Sequence, residues 1–209
     1  MDHTFSGKPV NCLVNAEVGH EAELSLTSDA KTAGTRQEIH RVLVIGAGPA
    51  GLEYARVVAS RGHKVTIWEE TDQPGGQLFL AAAPPVRKDF LHLATYLANA
   101  CKNLEVEIQY SVKATSENIL VAVKAEKFNK VVIATGACPI SPNIPIEEGV
   151  KVVQAWDVLA GRSETGKNVI IVGGGSVGVE TALLLAECGT LDNETLRFLI
   201  LQQAETPSD

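Results

Sequence analysis

One stretch, residues 41–69, restricts this chain more than any other. An apolar run, Arg41-Val42-Leu43-Val44-Ile45, meets Gly46-Ala47-Gly48-Pro49-Ala50-Gly51. A helical pattern follows from about Pro49 to Ser60, Gly62 ends it, and a second run, KVTIW over 64–68, stops at Glu69. The order predicts strand, glycine turn, helix, strand and terminal acid, the context in which G-x-G-x-x-G signals a dinucleotide. Gly46 permits the tight turn, Gly48 lets the backbone approach a pyrophosphate, and Gly51 lets the helix pack closely on its strand. Pro49 suits a first helical turn, where its missing N–H costs nothing. The free N–H groups at that helix start attract phosphate. Glu69 is expected to accept hydrogen bonds from ribose hydroxyls, with Glu70 as the competing acid; an ordinary glycine turn is the plain alternative.

The design recurs. NVIIV over 168–172 reads as a second buried strand, followed by Gly173-Gly174-Gly175-Ser176-Val177-Gly178 and a helix from about Ser176 to Glu187 that carries Glu180. Gly173, Gly175 and Gly178 take the three glycine roles. The next strand, whose last residue would separate NADH from NADPH, is not in the chain, so that choice stays open.

Between the two turns, 71–86 reads as loop, and a helix is predicted from about Lys88 to Cys101. Residues 105–110, 119–123 and Lys130 to Ala134 read as strands. Pro139, Pro142 and Pro145 mark an extended linker, Trp156 to Ala160 a short helix, and the residues past Gly189 a last helix. Strands alternating with helices predict an α/β doubly wound parallel sheet with an incomplete second dinucleotide domain. The expected division is an N-terminal arm over 1–38, a nucleotide domain over 39–149, a linker over 150–165 and the start of a second domain over 166–209.

The net charge of −7 argues against a nucleic-acid partner. No apolar run approaches the roughly 20 residues that span a bilayer, and MDHTFSGKPV lacks a secretory pattern. Cys12, Cys101, Cys138 and Cys188 form no C-x-x-C pair; free thiols and a cytoplasmic location are expected. His3, His20, His40, His63 and His92 do not cluster at metal-ligand spacing. Trp68 and Trp156 read as packing residues.

Several motifs together carry a resemblance. Ala134-Thr135-Gly136-Ala137-Cys138-Pro139 is similar to the A-T-G-x-x-P segment of two-dinucleotide flavoproteins of the glutathione-reductase-like superfamily. Gly75-Gly76-Gln77 resembles their loop beside the flavin. Cys12-Leu13-Val14-Asn15 followed by Gly19-His20-Glu21 resembles the segment between barrel and FAD domain in the 2,4-dienoyl-CoA reductase, 2-enoate reductase and trimethylamine dehydrogenase family. The resemblance implies FAD on the first turn and NAD(P)H on the second. It also implies a 4Fe–4S cluster and an N-terminal FMN barrel in a longer parent chain, from which this chain is a piece, inactive alone. Cys12 matches the fourth cluster ligand or is an ordinary linker thiol; one thiolate cannot hold a cluster that needs four. No residue is required as acid, base or nucleophile. A disulfide reductase is the rival enzyme, disfavoured because residues 77–100 and the segment before the second turn carry no cysteine pair. A non-catalytic ADP-binding module is the rival of another class.

Overall fold

The computed structural model describes residues 6–7, 10, 12–25, 38–126, 128–188 and 193–202. Much of the expected N-terminal arm (1–5, 8–9, 11 and 26–37), and Gly189, lie outside the described residues. Two compact units form. One takes the described residues up to Leu78 together with Phe90–Ala137; the other takes Phe79–Asp89 and the described residues from Cys138 onward.

The first unit opens with a short helix, α1 (Glu21–Leu24), and is built on four parallel strands. These are β1 (Arg41–Ile45), β2 (Lys64–Trp68), β3 (Glu107–Gln109) and β4 (Lys130–Ile133), in the order β3-β2-β1-β4. β1 pairs with β2 from Arg41↔Lys64 to Ile45↔Trp68, and with β4 from Val42↔Lys130 to Ile45↔Ile133. Parallel strands need crossovers, which cover both sheet faces, so the central strands read as unbroken apolar runs. On one face Val42, Val44, Val65 and Ile67 pack with Leu52 and Ala55 of α2 (Pro49–Ser60). Leu93, Leu97 and Cys101 join them from the helix that begins at Asp89. On the other face Leu43, Ile45 and Trp68 pack with Ala122 and Phe128. Each fully buried Val, Leu or Ile among them contributes roughly 1.5–3 kcal/mol. The doubly wound parallel sheet expected from the sequence is the fold observed.

Between α2 and the later strands run α3 (Leu78–Ala82) and α4 (Asp89–Asn103). The segment 119–123, expected as a strand, lies instead within a helix, α5 (Ser116–Glu126). Its start is capped: the Thr115 N–H donates to Asn118 Oδ1 at 2.7 Å and the Asn118 N–H donates to Thr115 Oγ1 at 3.3 Å. Ile119, Ala122 and Val123 then share one face at helical spacing and meet the core, while Leu120 and Val121 are exposed. The expected strand at 105–110 shrinks to β3.

The second unit holds α6 (Ala155–Leu159), α7 (Ser176–Cys188) and α8 (Asn193–Leu201), with α6 packed on α7. Arg87 pairs with Glu180 of α7. The second buried strand expected at 168–172 does not form. Among the described residues this segment joins no sheet, and Ile170 is 92% and Val172 73% exposed. A parallel strand is held by its neighbours' hydrogen bonds and by the layers over it, and among the described residues no strand pairs with this segment.

Candidate nucleotide-binding site

The turn between β1 and α2 sits at the carboxyl ends of the strands. Gly46 has φ +103°, and a Cβ there would lie 2.5 Å from the Ala134 carbonyl oxygen. Its N–H donates to the Trp68 carbonyl at 2.7 Å, and the Ala134 N–H donates to the Ile45 carbonyl at 2.8 Å. Three strand ends are thereby stitched around one glycine. A Cβ on Gly51 would strike the Gly46 carbonyl oxygen, which is the close helix–strand approach expected of the third glycine. Gly48 differs from both: a Cβ would meet nothing within 4 Å, so open space faces it at the start of α2.

Glu69 is buried at 7% exposure and works within the turn. Its Oε2 accepts the Ala47 N–H at 2.6 Å, and its Oε1 accepts the Thr71 N–H at 2.9 Å and the Thr71 hydroxyl at 2.8 Å. A carboxylate offers about four lone-pair sites, so three contacts leave capacity for a ribose hydroxyl. Glu70 is exposed and pairs with Lys113 at 3.3 Å. The Gly75 N–H donates to the Ala47 carbonyl at 2.8 Å, which ties the loop after β2 to the glycine turn. Gly76, with φ +52°, approaches so closely that a Cβ would lie 3.0 Å from the Gly48 Cα. Gln77 Nε2 donates to the Ala137 carbonyl at 2.9 Å, over Gly136 (φ +75°).

These pieces enclose a cavity of about 320 Å³. Of the residues singled out in the sequence, Gly46, Gly48, Pro49, Ala50, Glu69, Glu70, Gly76, Gln77, Ala134, Thr135 and Gly136 line it together. Ala47 is fully buried and Gly51 buried, so both support the wall from behind. Ile45, Trp68, Val112 and Ala114 also line the cavity. Sequence reasoning missed them: no motif marks Val112 and Ala114, and Trp68 reads as packing, which it also is.

The second turn repeats the local geometry of the first. Gly173 has φ +115°, a Cβ on Gly178 would strike the Gly173 carbonyl, and the Val179 N–H donates to the Gly175 carbonyl at 3.0 Å. Gly174 and Gly175 face open space, as Gly48 does. Ser176 and Val177 open α7.

Cys12 is exposed, and the backbone N–H groups of Asn15 and Val14 aimed at its sulfur hold its thiol below the usual cysteine range. Burial pushes the Cys101 thiol up to about 11, and its Sγ donates to the Leu52 carbonyl at 3.2 Å, a packing role. All four cysteines are free. Among the described residues no group of His, Cys, Asp and Glu could hold a metal ion, and no helix is long and apolar enough to cross a membrane.

Parallel sheet, glycine turn and acid after the second strand define a dinucleotide-binding fold, and residues 40–205 match the family described as pyridine nucleotide-disulphide oxidoreductase. The chain belongs to that family. It is 73% identical, over its whole length, to a metal reductase of Desulforamulus reducens, of which it covers 30%. It is 40% identical over 180 residues, 86% of this chain, to a cinnamate reductase of Clostridium sporogenes, of which it covers 25%. The solved structure of a 2-naphthoyl-CoA reductase superposes on 90% of this chain with a TM-score of 0.76 and 32% identity, and the chain covers 27% of it. The chain thus spans less than a third of the length of these relatives. An enoate-reductase-type membership, implied by the motifs, agrees with the names these relatives carry.

Proposed function

We propose that the first unit binds the ADP half of FAD, and that the chain is the flavin- and NAD(P)H-binding portion of an NAD(P)H-dependent oxidoreductase. The observation that carries the reading is the open space facing Gly48, bounded by the α2 N-terminus and by Glu69. The α2 N–H groups receive the pyrophosphate, Glu69 takes a ribose hydroxyl, and Gly76, Gln77, Ala134, Thr135 and Gly136 line the way toward the flavin side. These residues fit FAD. Gly173, Gly174, Gly175, Ser176, Val177 and Gly178 fit the phosphates of NAD(P)H. When bound, FAD supplies hydride acceptance and single-electron release, while the protein binds, orients and excludes water.

In a longer protein of this kind, a 4Fe–4S cluster and an FMN barrel would supply the chemistry that carries electrons onward to an enoyl-type substrate. Support for the cluster comes from Cys12, whose thiolate is favoured by two backbone N–H groups, as a ligating sulfur requires. It fits one corner of a four-thiolate site. The four free thiols suit a reducing, cytoplasmic setting. Titration of the purified chain with FAD and with ADP, read by flavin absorbance and calorimetry, tests the reading. Binding of both is expected. A protein that takes ADP and never FAD overturns the flavoenzyme reading in favour of a non-catalytic nucleotide module.

A further inference from the structure

The cavity has two chemically distinct walls. One is the polar glycine turn. The other is apolar, made by Ile45, Trp68, Val112 and Ala114. Trp68 closes β2 immediately before Glu69 and is only 7% exposed. Its ring packs with Leu43, Ile45, Ala122 and Phe128. Its indole N–H is buried and has no hydrogen-bond acceptor among the described residues. Indole is a donor only, and tryptophan N–H groups normally find a partner when buried. Leaving a donor unmet costs about 1–3 kcal/mol, so a bare packing role would be better served by phenylalanine.

The strap that carries Val112 and Ala114 packs against the same cluster as Trp68 and lines the same cavity. Val112 and Ala114 are only partly buried against the Trp68 cluster. The strap hangs from the segment just after β2 by two bonds, Ser111 N–H to the Thr71 carbonyl and Val112 N–H to the Glu69 carbonyl, both 2.9 Å. It turns through Ser111 at φ +57°, a left-handed conformation of the kind that gathers at ligand sites.

Resting on the ADP reading above, we propose that Trp68 reads the nucleotide base. Its indole N–H donates to a ring nitrogen of a purine that lies against Ile45, Val112 and Ala114, with Glu69 on the ribose beside it. A flat heteroaromatic ring matches the apolar wall, and its ring nitrogens are the acceptors that the wall lacks. Entry of the base shifts the Val112–Ala114 strap, and the hydrogen bond gained offsets that movement.

The 209-residue chain and its W68F variant are titrated with ADP and with ribose 5-diphosphate, which lacks the base. W68F is expected to bind ADP roughly tenfold more weakly, the loss of one hydrogen bond, with ribose 5-diphosphate affinity unchanged and thermal stability without ligand equal or higher. Equal loss for both ligands, or no loss for either, overturns the proposal. Should W68F fail to fold, a W156F variant leaves Trp68 as the one indole in the chain. Its indole N–H proton resonance is then expected to move downfield with ADP and to stay put with ribose 5-diphosphate; a resonance indifferent to ADP overturns the proposal. A wild-type chain that binds neither ligand instead overturns the ADP reading itself, and this inference with it.

Discussion

The two glycine turns are near copies, and their surroundings are opposites. Gly46 and Gly173 share a left-handed backbone, and Gly51 and Gly178 each press on the carbonyl of their turn's first glycine. Yet Leu43, the third residue of RVLVI, is fully buried in a paired strand, while Ile170, the third residue of NVIIV, stands 92% exposed in an unpaired segment. The turn is therefore a local property of the glycines and the helix that follows. The strand is a collective property, present only where neighbouring strands and covering helices supply partners.

The widest contrast is expected from truncating those two residues. Leu43→Ala should cost about 2–5 kcal/mol by removing packed methyl groups, whereas Ile170→Ala should stay within roughly 0.5 kcal/mol. Urea denaturation measures both, and comparable losses would break the contrast. The first glycines give the next largest difference. Gly46→Ala meets both a positive φ and the Ala134 carbonyl, for a loss of about 2–4 kcal/mol. Gly173→Ala meets the φ penalty alone, about 1–2 kcal/mol.

A binding experiment sharpens the comparison further. Gly48→Val fills the space opposite the α2 start and should weaken ADP binding by about a hundredfold or more, near 3 kcal/mol. Gly175→Val, its counterpart in the second turn, should leave ADP bound at the first site as before; calorimetry with ADP reads both, and unchanged affinity in Gly48→Val would refute the site.

The smallest effect concerns the sheet alone. The His40 N–H donates to His63 Nδ1 at 3.2 Å, joining the starts of β1 and β2. Burial, with His40, Lys130 and Arg61 nearby, lowers the His63 pKa below 6.5. The unfolded chain then takes up the proton first, so this contribution is whole above pH 6.5 and fades as pH falls through the folded value. A mild drop in Tm on acidification through that window, reduced in His63→Gln, is expected in thermal melts.

The candidate site was legible wherever local chemistry decides it. Gly46 makes the tight turn and Gly51 the close helix approach that their spacing implies, open space faces Gly48, and Glu69 rather than Glu70 is buried on the turn. The apolar wall was not legible. Val112 and Ala114 reach the cavity only because the strap after β3 hydrogen-bonds back onto Glu69 and Thr71, a contact between distant parts of the chain. The helix over 119–123 escaped for a related reason. Its unbroken apolar run, Ile119-Leu120-Val121-Ala122-Val123, suits a strand equally well, and the Thr115–Asn118 cap together with packing beside Trp68 decides for a helix.

By itself the sequence determined what short-range sterics and spacing can settle: where the glycine turns fall, where α2 and α7 start, and which acid ends β2. The tertiary structure alone decided which apolar run became a strand, because pairing and burial require partners that no single segment contains. It also decided what the buried groups face. Glu69 found the Ala47 N–H across the turn, and the Trp68 indole N–H was left buried without an acceptor among the described residues, since both outcomes depend on distant strands meeting at one end of the sheet.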